Sequence, residues 1–184
     1  MVSDVIAIHV RHRRELERAN MFNPRIVFLV IFLVCAGLMS FGFYLQYVLG
    51  LEPCVLCMVQ RLFFSLLGLT ALIAFLHNPQ FIGVRIYAVL TALFSVMGAG
   101  IAGRQVWLQH LPADKVPECG PDLFFMLEVY PLGEALMTAL KGTGDCAKVA
   151  WTFLSLSIPE WAIIIFIAIF IASLQLIFKS RRLM

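Results

Sequence analysis

The chain has 184 residues, 61% of them hydrophobic and only 14% charged, with a formal net charge of +3. Soluble domains carry about 25% charged residues, and a chain of this length cannot hide so much apolar surface in a water-exposed fold. No basic stripe or nucleic-acid-binding motif is present, so the composition argues against a nucleic-acid partner and leaves a small polytopic membrane protein.

Residues 1–25 form a polar arm containing "HVRHRRELERAN" and five arginines, Arg11, Arg13, Arg14, Arg18 and Arg25. Ile26–Leu49 follows as 24 residues without a charge. Met58–Leu76 is apolar except for Gln60 and Arg61 near its start, and Ile86–Gly103 and Trp161–Phe178 are uncharged windows of 18 residues each. About 20 apolar residues at ~1.5 Å rise cross a ~30 Å hydrocarbon core. The windows are too long and too many for a cleaved signal peptide, and the first lacks a small-x-small cleavage site. The expected fold is an all-α bundle of four transmembrane helices, at about 26–49, 58–76, 86–103 and 161–178. Loops 50–57 and 104–160 lie on one side, and a tail, 179–184, ends the chain.

Lysine and arginine set the orientation. The N-terminal arginines, Arg85 in the 77–85 link, and Lys179, Arg181 and Arg182 at the end mark one side. The 104–160 segment instead has four basic residues (Arg104, Lys115, Lys141, Lys148) against seven acidic ones (Asp114, Glu118, Asp122, Glu128, Glu134, Asp145, Glu160). The positive-inside rule puts both termini in the cytoplasm and both cysteine-bearing loops outside.

The long outer loop is not a plain linker. "PLGEALMTALKG" (131–142) repeats apolar residues at Leu132, Leu136, Met137 and Leu140 and ends in Lys141 and Gly142. That is a helical stripe with a stop signal, too short to span, and it predicts an amphipathic helix on the bilayer surface. "DLFFML" (122–127) and the belt residues Trp151 and Trp161 point the same way.

Five cysteines remain. Cys35 lies in the middle of the first span and reads as a small packing residue. Cys54 and Cys57 fall in the short outer loop, Cys119 and Cys146 in the long one, on the side where thiols oxidise. A zinc site is disfavoured because Cys119 and Cys146 lack chelate spacing; haem attachment would need His where Met58 stands. Bracing disulfides remain an alternative. However, a C-x-x-C bridge closes a small ring and removes little chain entropy, so redox turnover explains it better. Arg61, a charge inside a span, is by default functional. With a helix starting near Cys57 it stands one turn from that sulfur, where a guanidinium and a helix N-terminus both favour a thiolate.

With the cysteines placed, the chain resembles the bacterial disulfide bond formation protein B (DsbB) family over roughly residues 25–178. The likeness rests on "PCVLCMVQR" (53–61), "GRQVWLQHLPADKVPECGP" (103–121) and "GDCAKVAWTFLSLSIPEWA" (144–162), together with the spans and the two cysteine pairs. The resemblance implies a bacterial inner-membrane thiol oxidase. Such a protein reoxidises a periplasmic thioredoxin-like dithiol protein, DsbA, and passes the electrons to ubiquinone or menaquinone. It further implies that Cys119 forms the mixed disulfide with DsbA, that Cys146 is its loop partner, and that Cys54 exchanges with Cys119. Cys57 would face the quinone, with Arg61 holding its charge and orienting the ring. Gln105, Gln109 and His110 compete for a further quinone contact, and Gln60 stands where some members carry an acid. The resemblance does not reach residues 1–24, which read as a cytoplasmic arm or an unused upstream start. A structural adaptor, or a quinone reductase of the vitamin K epoxide reductase type, is the alternative, although the latter's C-x-x-C sits late in its bundle.

Overall fold

A computed structural model of the chain describes residues 23–118, 125 and 128–182. The N-terminal arm, Cys119 and all of the 122–127 stretch except Phe125 lie outside the described residues. Within them, four helices are long and apolar enough to cross a membrane: α1 (Pro24–Tyr47), α2 (Val55–His77), α3 (Phe81–Gln109) and α5 (Ile158–Arg182). The shorter α4 (Leu132–Lys141) lies in the long loop, followed by a 3-10 turn at Gly144–Ala147. A two-stranded hairpin, β1 (Thr152–Phe153) and β2 (Leu156–Ser157), precedes α5. The all-α four-span class thus holds, with this small hairpin added.

Each helix begins where local chemistry allows. Asn23 caps α1 by accepting from the Arg25 amide at 3.1 Å, with Pro24 in the first turn. Proline fits there because its missing N–H would have had no helical partner. Helix α2 ends at Asn78, which takes the left-handed conformation (φ 44°) and is followed by a proline, an ordinary helix stop. Helix α5 opens with a capping box, "SIPE": the Glu160 carboxylate accepts from the Ser157 amide at 2.6 Å and from its hydroxyl at 2.8 Å. This pattern ties off the free N–H groups of a first turn. It starts α5 at Ile158, ahead of the apolar window at 161.

Helix α3 runs to Gln109 rather than ending with the apolar window at 103. Arg104, Gln105 and Gln109 interrupt the apolar run but are helix-compatible, and the first breaker is Pro112. The extension carries Gln105 and Gln109 to the level of the first outer turn.

The core runs along all four spanning helices, with Phe28, Leu67, Ala88 and Phe166 among its fully buried side chains. Large apolar residues such as Leu69, Ile82, Ile86 and Ile171 point outward instead, as a lipid-facing surface requires. Helix α3 packs most closely on α5 and α2, and α2 on α1, whereas α1 and α5 touch little. Between α3 and α5, Thr91 and Ser173 share a buried 2.9 Å hydrogen bond. Cys35 is buried in this core, and a Cβ added at Gly68 would stand 3.2 Å from its own Cβ. That is the packing role expected of it.

Two contacts pin the outer loop to the bundle. Arg104 donates to the Lys141 carbonyl through Nε at 3.3 Å and Nη2 at 3.1 Å, while its guanidinium lies 4.2 Å from the Trp107 ring centre. Just beyond, Gly142 adopts φ 78° and ψ 150°, a region open essentially to glycine alone. A Cβ there would stand 2.6 Å from Leu108 and 2.9 Å from Leu56. The stripe 131–142 does form a helix with its stop at Gly142, and Met137 and Leu140 on it are exposed, as a bilayer-surface helix needs.

A candidate thiol-redox site

Cys54 is the residue that caps α2, extended at φ −68° and ψ 168°. Cys57 therefore sits in the first helical turn, where backbone N–H groups are free and the helix dipole is positive. The helix starts at Val55, two residues before Cys57, because Pro53 ends the preceding segment. The Cys54 Sγ donates to the Cys57 Sγ at 3.1 Å.

Helix α3 supplies the third partner. The Gln105 Nε2 donates to the Cys57 Sγ at 3.1 Å and to the Cys54 Sγ at 3.4 Å. Its Oε1 accepts from the Gln60 Nε2 at 2.6 Å. Both glutamines are buried. Of the three polar side chains in competition, Gln105 thus meets the cysteine sulfurs. Gln109 lines the adjacent cavity, and His110 is exposed, its Nδ1 2.9 Å from the Val106 carbonyl.

Cys146 arrives from the other loop. The 3-10 turn buries it completely against Leu56 and Leu108, with Cys54 packed on the same cluster. Its sulfur shares the single Cys54 S–H with Cys57 and faces the backbone N–H of Leu56 in the first turn of α2 and that of Thr143. The Cys54 hydrogen bond foremost, then these backbone donors, outweigh burial and hold the Cys146 thiol at about 6. Cys54 is pushed the other way, above the usual thiol range, by its hydrogen bonds to Cys146 and Cys57 and by burial. Cys146 and Cys54 are therefore neighbours across the two outer loops. The Gly144 amide donates to the Glu118 carbonyl at 3.0 Å, which ties the stretch preceding Cys119 to the turn that carries Cys146.

Arg61 is on the same helix as Cys57 but reaches toward α1. Its Nη1 donates to the Gln46 Oε1 at 2.5 Å and its Nη2 to the Gly42 carbonyl at 2.8 Å, and the guanidinium stands 5.6 Å from the Phe43 ring centre. Gly42 leaves room for this approach, since a Cβ would lie 3.3 Å from the Arg61 Nε. Gln46 and Gly42 were not singled out from the sequence. A glutamine inside an apolar span was the available signal.

These groups line a cavity of about 850 Å3 bounded by α1, the starts of α2 and α5, and the outer turns. Its wall is mainly apolar, including Leu38, Phe64 and Ile165, with Cys57, Arg61 and Gln109 among the polar exceptions. Phe41, Trp151, Phe153 and Trp161 form an aromatic wall: Trp151 and Phe153 stack at 6.0 Å, and Phe41 meets Trp151 edge-on at 5.5 Å. Large apolar pockets with a few convergent polar groups are the usual form of a small-molecule site. The cavity lies between α1 and α5, the helices that touch little.

Residues 24–176 match the family model of disulfide bond formation protein DsbB. A Marinobacter nauticus protein named disulfide bond formation protein B is 54% identical over 144 residues, covering 78% of this chain and 86% of that one. A Hahella chejuensis protein of the same name is 55% identical over 143 residues, covering 78% and 87%. Disulfide bond formation protein B 1 of Pseudomonas aeruginosa is 47% identical over 146 residues, covering 79% and 90%.

Proposed function

We propose a function from one premise: this chain belongs to the disulfide bond formation protein B family, and so is a multi-pass membrane oxidoreductase of disulfide formation. In this reading it reoxidises the dithiol of a periplasmic thioredoxin-like DsbA protein and delivers the two electrons to a membrane quinone, ubiquinone or menaquinone. Both termini face the cytoplasm of the bacterial inner membrane, as the lysines and arginines require.

One observation carries the reading. Sulfurs from two separate outer loops, Cys54 with Cys57 and Cys146, converge beside one apolar cavity. A soluble partner and a lipid-dissolved acceptor cannot both reach a single pair, and two adjoining pairs solve that problem. Cys119 would form the mixed disulfide with DsbA as its bond to Cys146 breaks and releases the Cys146 thiolate, and the second DsbA cysteine would then close the DsbA disulfide and free Cys119. The Cys146 sulfur, held as a thiolate near neutral pH, then stands against Cys54 for exchange between loops. Each exchange trades one S–S bond for another; two electrons and two protons pass inward from the partner dithiol.

The cavity fits a quinone head group: apolar walls of adequate volume, a cation and an amide, and Cys57 at one edge. Bound there, a quinone supplies a two-electron sink. Arg61 and Gln109 would hold its oxygens, the aromatic wall would exclude water, and Cys57 would present its sulfur to the ring. Gln46 and Gly42 keep the Arg61 guanidinium from turning out to the headgroups.

The test is quinone absorbance in detergent-purified protein supplied with a reduced thioredoxin-like dithiol oxidase and short-chain ubiquinone, with Cys57→Ser beside it. Catalytic consumption by the wild type alone supports the reading. No consumption by folded wild type, with a fully reduced partner present, overturns it.

A further inference from the structure

We propose that Gln60 and Gln105 form a two-amide relay that sets the redox equilibrium of the Cys54–Cys57 pair, with Gln60 fixing which end of the Gln105 amide meets the sulfurs. This deepens the function above and rests on it.

A glutamine amide has two unlike ends, an NH2 that only donates and an oxygen that only accepts. Near a sulfur that cycles between thiol and disulfide, the choice of end matters. In the structure the choice is made from α2. Gln60 follows Cys57 by three residues, so both face α3 from one side of the helix. Its Nε2 donates to the Gln105 Oε1 at 2.6 Å, a hydrogen bond that only a donor can make. With its oxygen engaged, Gln105 turns its NH2 onto Cys57 at 3.1 Å and Cys54 at 3.4 Å. The two side chains are 4% and 3% exposed, so water does not compete for either amide.

The consequence is directional. The Cys57 sulfur receives two donors, the Cys54 S–H and the Gln105 N–H. An anionic sulfur accepts such bonds far more strongly than a disulfide sulfur does. The relay therefore favours the reduced pair and makes the disulfide a better oxidant. The Gln105 Oε1 also lies 3.5 Å from the Cys57 Sγ, so the same amide can accept from Cys57 when its thiol is protonated. Turned end for end, the amide would instead set a lone pair against the anion and favour the disulfide. Gln105 touches the reacting sulfurs and is catalytic in that sense; Gln60 acts through it and is a positioning residue. When the pair closes from the form with an anionic Cys57, one S–H bond is lost, one S–S bond forms, and two electrons and one proton leave; from the dithiol form a second proton leaves.

The experiment isolates the pair from both partner and quinone. The full chain, carrying Cys119→Ser and Cys146→Ser, is equilibrated in detergent with graded glutathione buffers, and the Cys54 and Cys57 thiols are trapped and counted. Gln60→Met, Gln105→Met and the double variant are compared at matched helix content. Each single change should lower the reduced-to-oxidised ratio about tenfold, which is about 30 mV for a two-electron couple. The double variant should match Gln105→Met rather than fall a hundredfold, because Gln60 acts only through its neighbour. An unchanged ratio in either single variant, or additive losses in the double, overturns the relay. Should Gln60→Met fail to fold, Gln105→Met decides alone: a ratio within twofold of wild type ends the proposal. A wild-type pair that forms no disulfide in any buffer would instead sink the thiol-oxidase function itself.

Discussion

The Arg61 guanidinium is tied to α1 through Gln46, Nη1 to Oε1 at 2.5 Å. A cation at the edge of a span is thereby held toward the cavity instead of extending to the headgroups. If Arg61 holds a quinone oxygen, its tether matters nearly as much as its charge. Gln46→Leu should raise KM for short-chain ubiquinone about tenfold or more and leave KM for the dithiol partner unchanged, since a hydrogen bond to a charged group contributes about 1.5–3 kcal/mol. Arg61→His should raise it further. Steady-state quinone absorbance with each substrate varied in turn checks this; equal effects on both KM values would remove Arg61 from the quinone site.

Phe166 of α5 lies directly over Gly98 of α3. A Cβ at residue 98 would stand 2.4 Å from its ring, which is stacked on Phe64 at 4.1 Å with an interplanar angle of 10°. Gly98→Ala must move the ring, and overpacking of this kind costs about 1–3 kcal/mol. The variant should melt several degrees lower in detergent, measured by circular dichroism. It should keep its quinone KM if it folds, because residue 98 does not line the cavity.

Gly142 holds the segment carrying Cys146 against α2 and α3. Gly142→Ala meets both an unfavourable backbone, about 1–3 kcal/mol, and the side chains of Leu108 and Leu56. The loop should swing away, parting Cys146 from Cys54. Rapid-quench thiol trapping would then show the outer pair reduced while Cys54 and Cys57 remain oxidised. Normal transfer between the pairs would show that Gly142 does not set the approach.

The spans were legible because each is a long, nearly uncharged run. The short helix could be read from the period of 131–142. What escaped is of a different kind. The extension of α3 to Gln109 begins with Arg104 and Gln105, so an uncharged window ends too early; only the absence of a breaker before Pro112 signals it. The capping box at Ser157 and Glu160 was visible as a pattern but overshadowed by the apolar window behind it. The hairpin depends on Leu154 and Ser155 both taking left-handed backbones, φ 52° and 65°, a tight turn usually marked by Asn or Gly. That Gln105 meets the cysteine sulfurs follows from helix phase across two helices, which a single sequence does not display.

Cys146 should titrate far below an ordinary thiol. The Cys54 hydrogen bond and the Leu56 and Thr143 donors hold it at about 6, against 9.0 unperturbed. The sign follows: a depressed acid is ionised above that value and regains its proton as pH falls through it. The stability these donors lend is complete above about 9 and is lost between 9 and 6. In the reduced protein, the thiolate absorbance difference between wild type and Cys146→Ser should rise near pH 6. Partner-dependent turnover should fall below it. A difference spectrum that rises only near pH 9 would show that the donors do not reach the sulfur.

Cys35 tests whether position in the fold alone separates structural from reactive cysteines. It is buried on α1, faces Gly68 on α2, and packs among core side chains that include Phe28 and Leu67. No partner sulfur lies near it among the described residues: Cys54, Cys57 and Cys146 gather at the far end of the bundle. Cys35→Ala removes one buried sulfur and should cost about 1 kcal/mol, with turnover of both substrates intact. Cys35→Leu has no room, because the α1–α2 approach at Gly68 is already close, and should destabilise more, about 1–3 kcal/mol. Unfolding and turnover measured on both variants separate the two roles. A folded Cys35→Ala protein without activity would show that a thiol in mid-span joins the electron path, and the topological sorting of the cysteines would then be wrong.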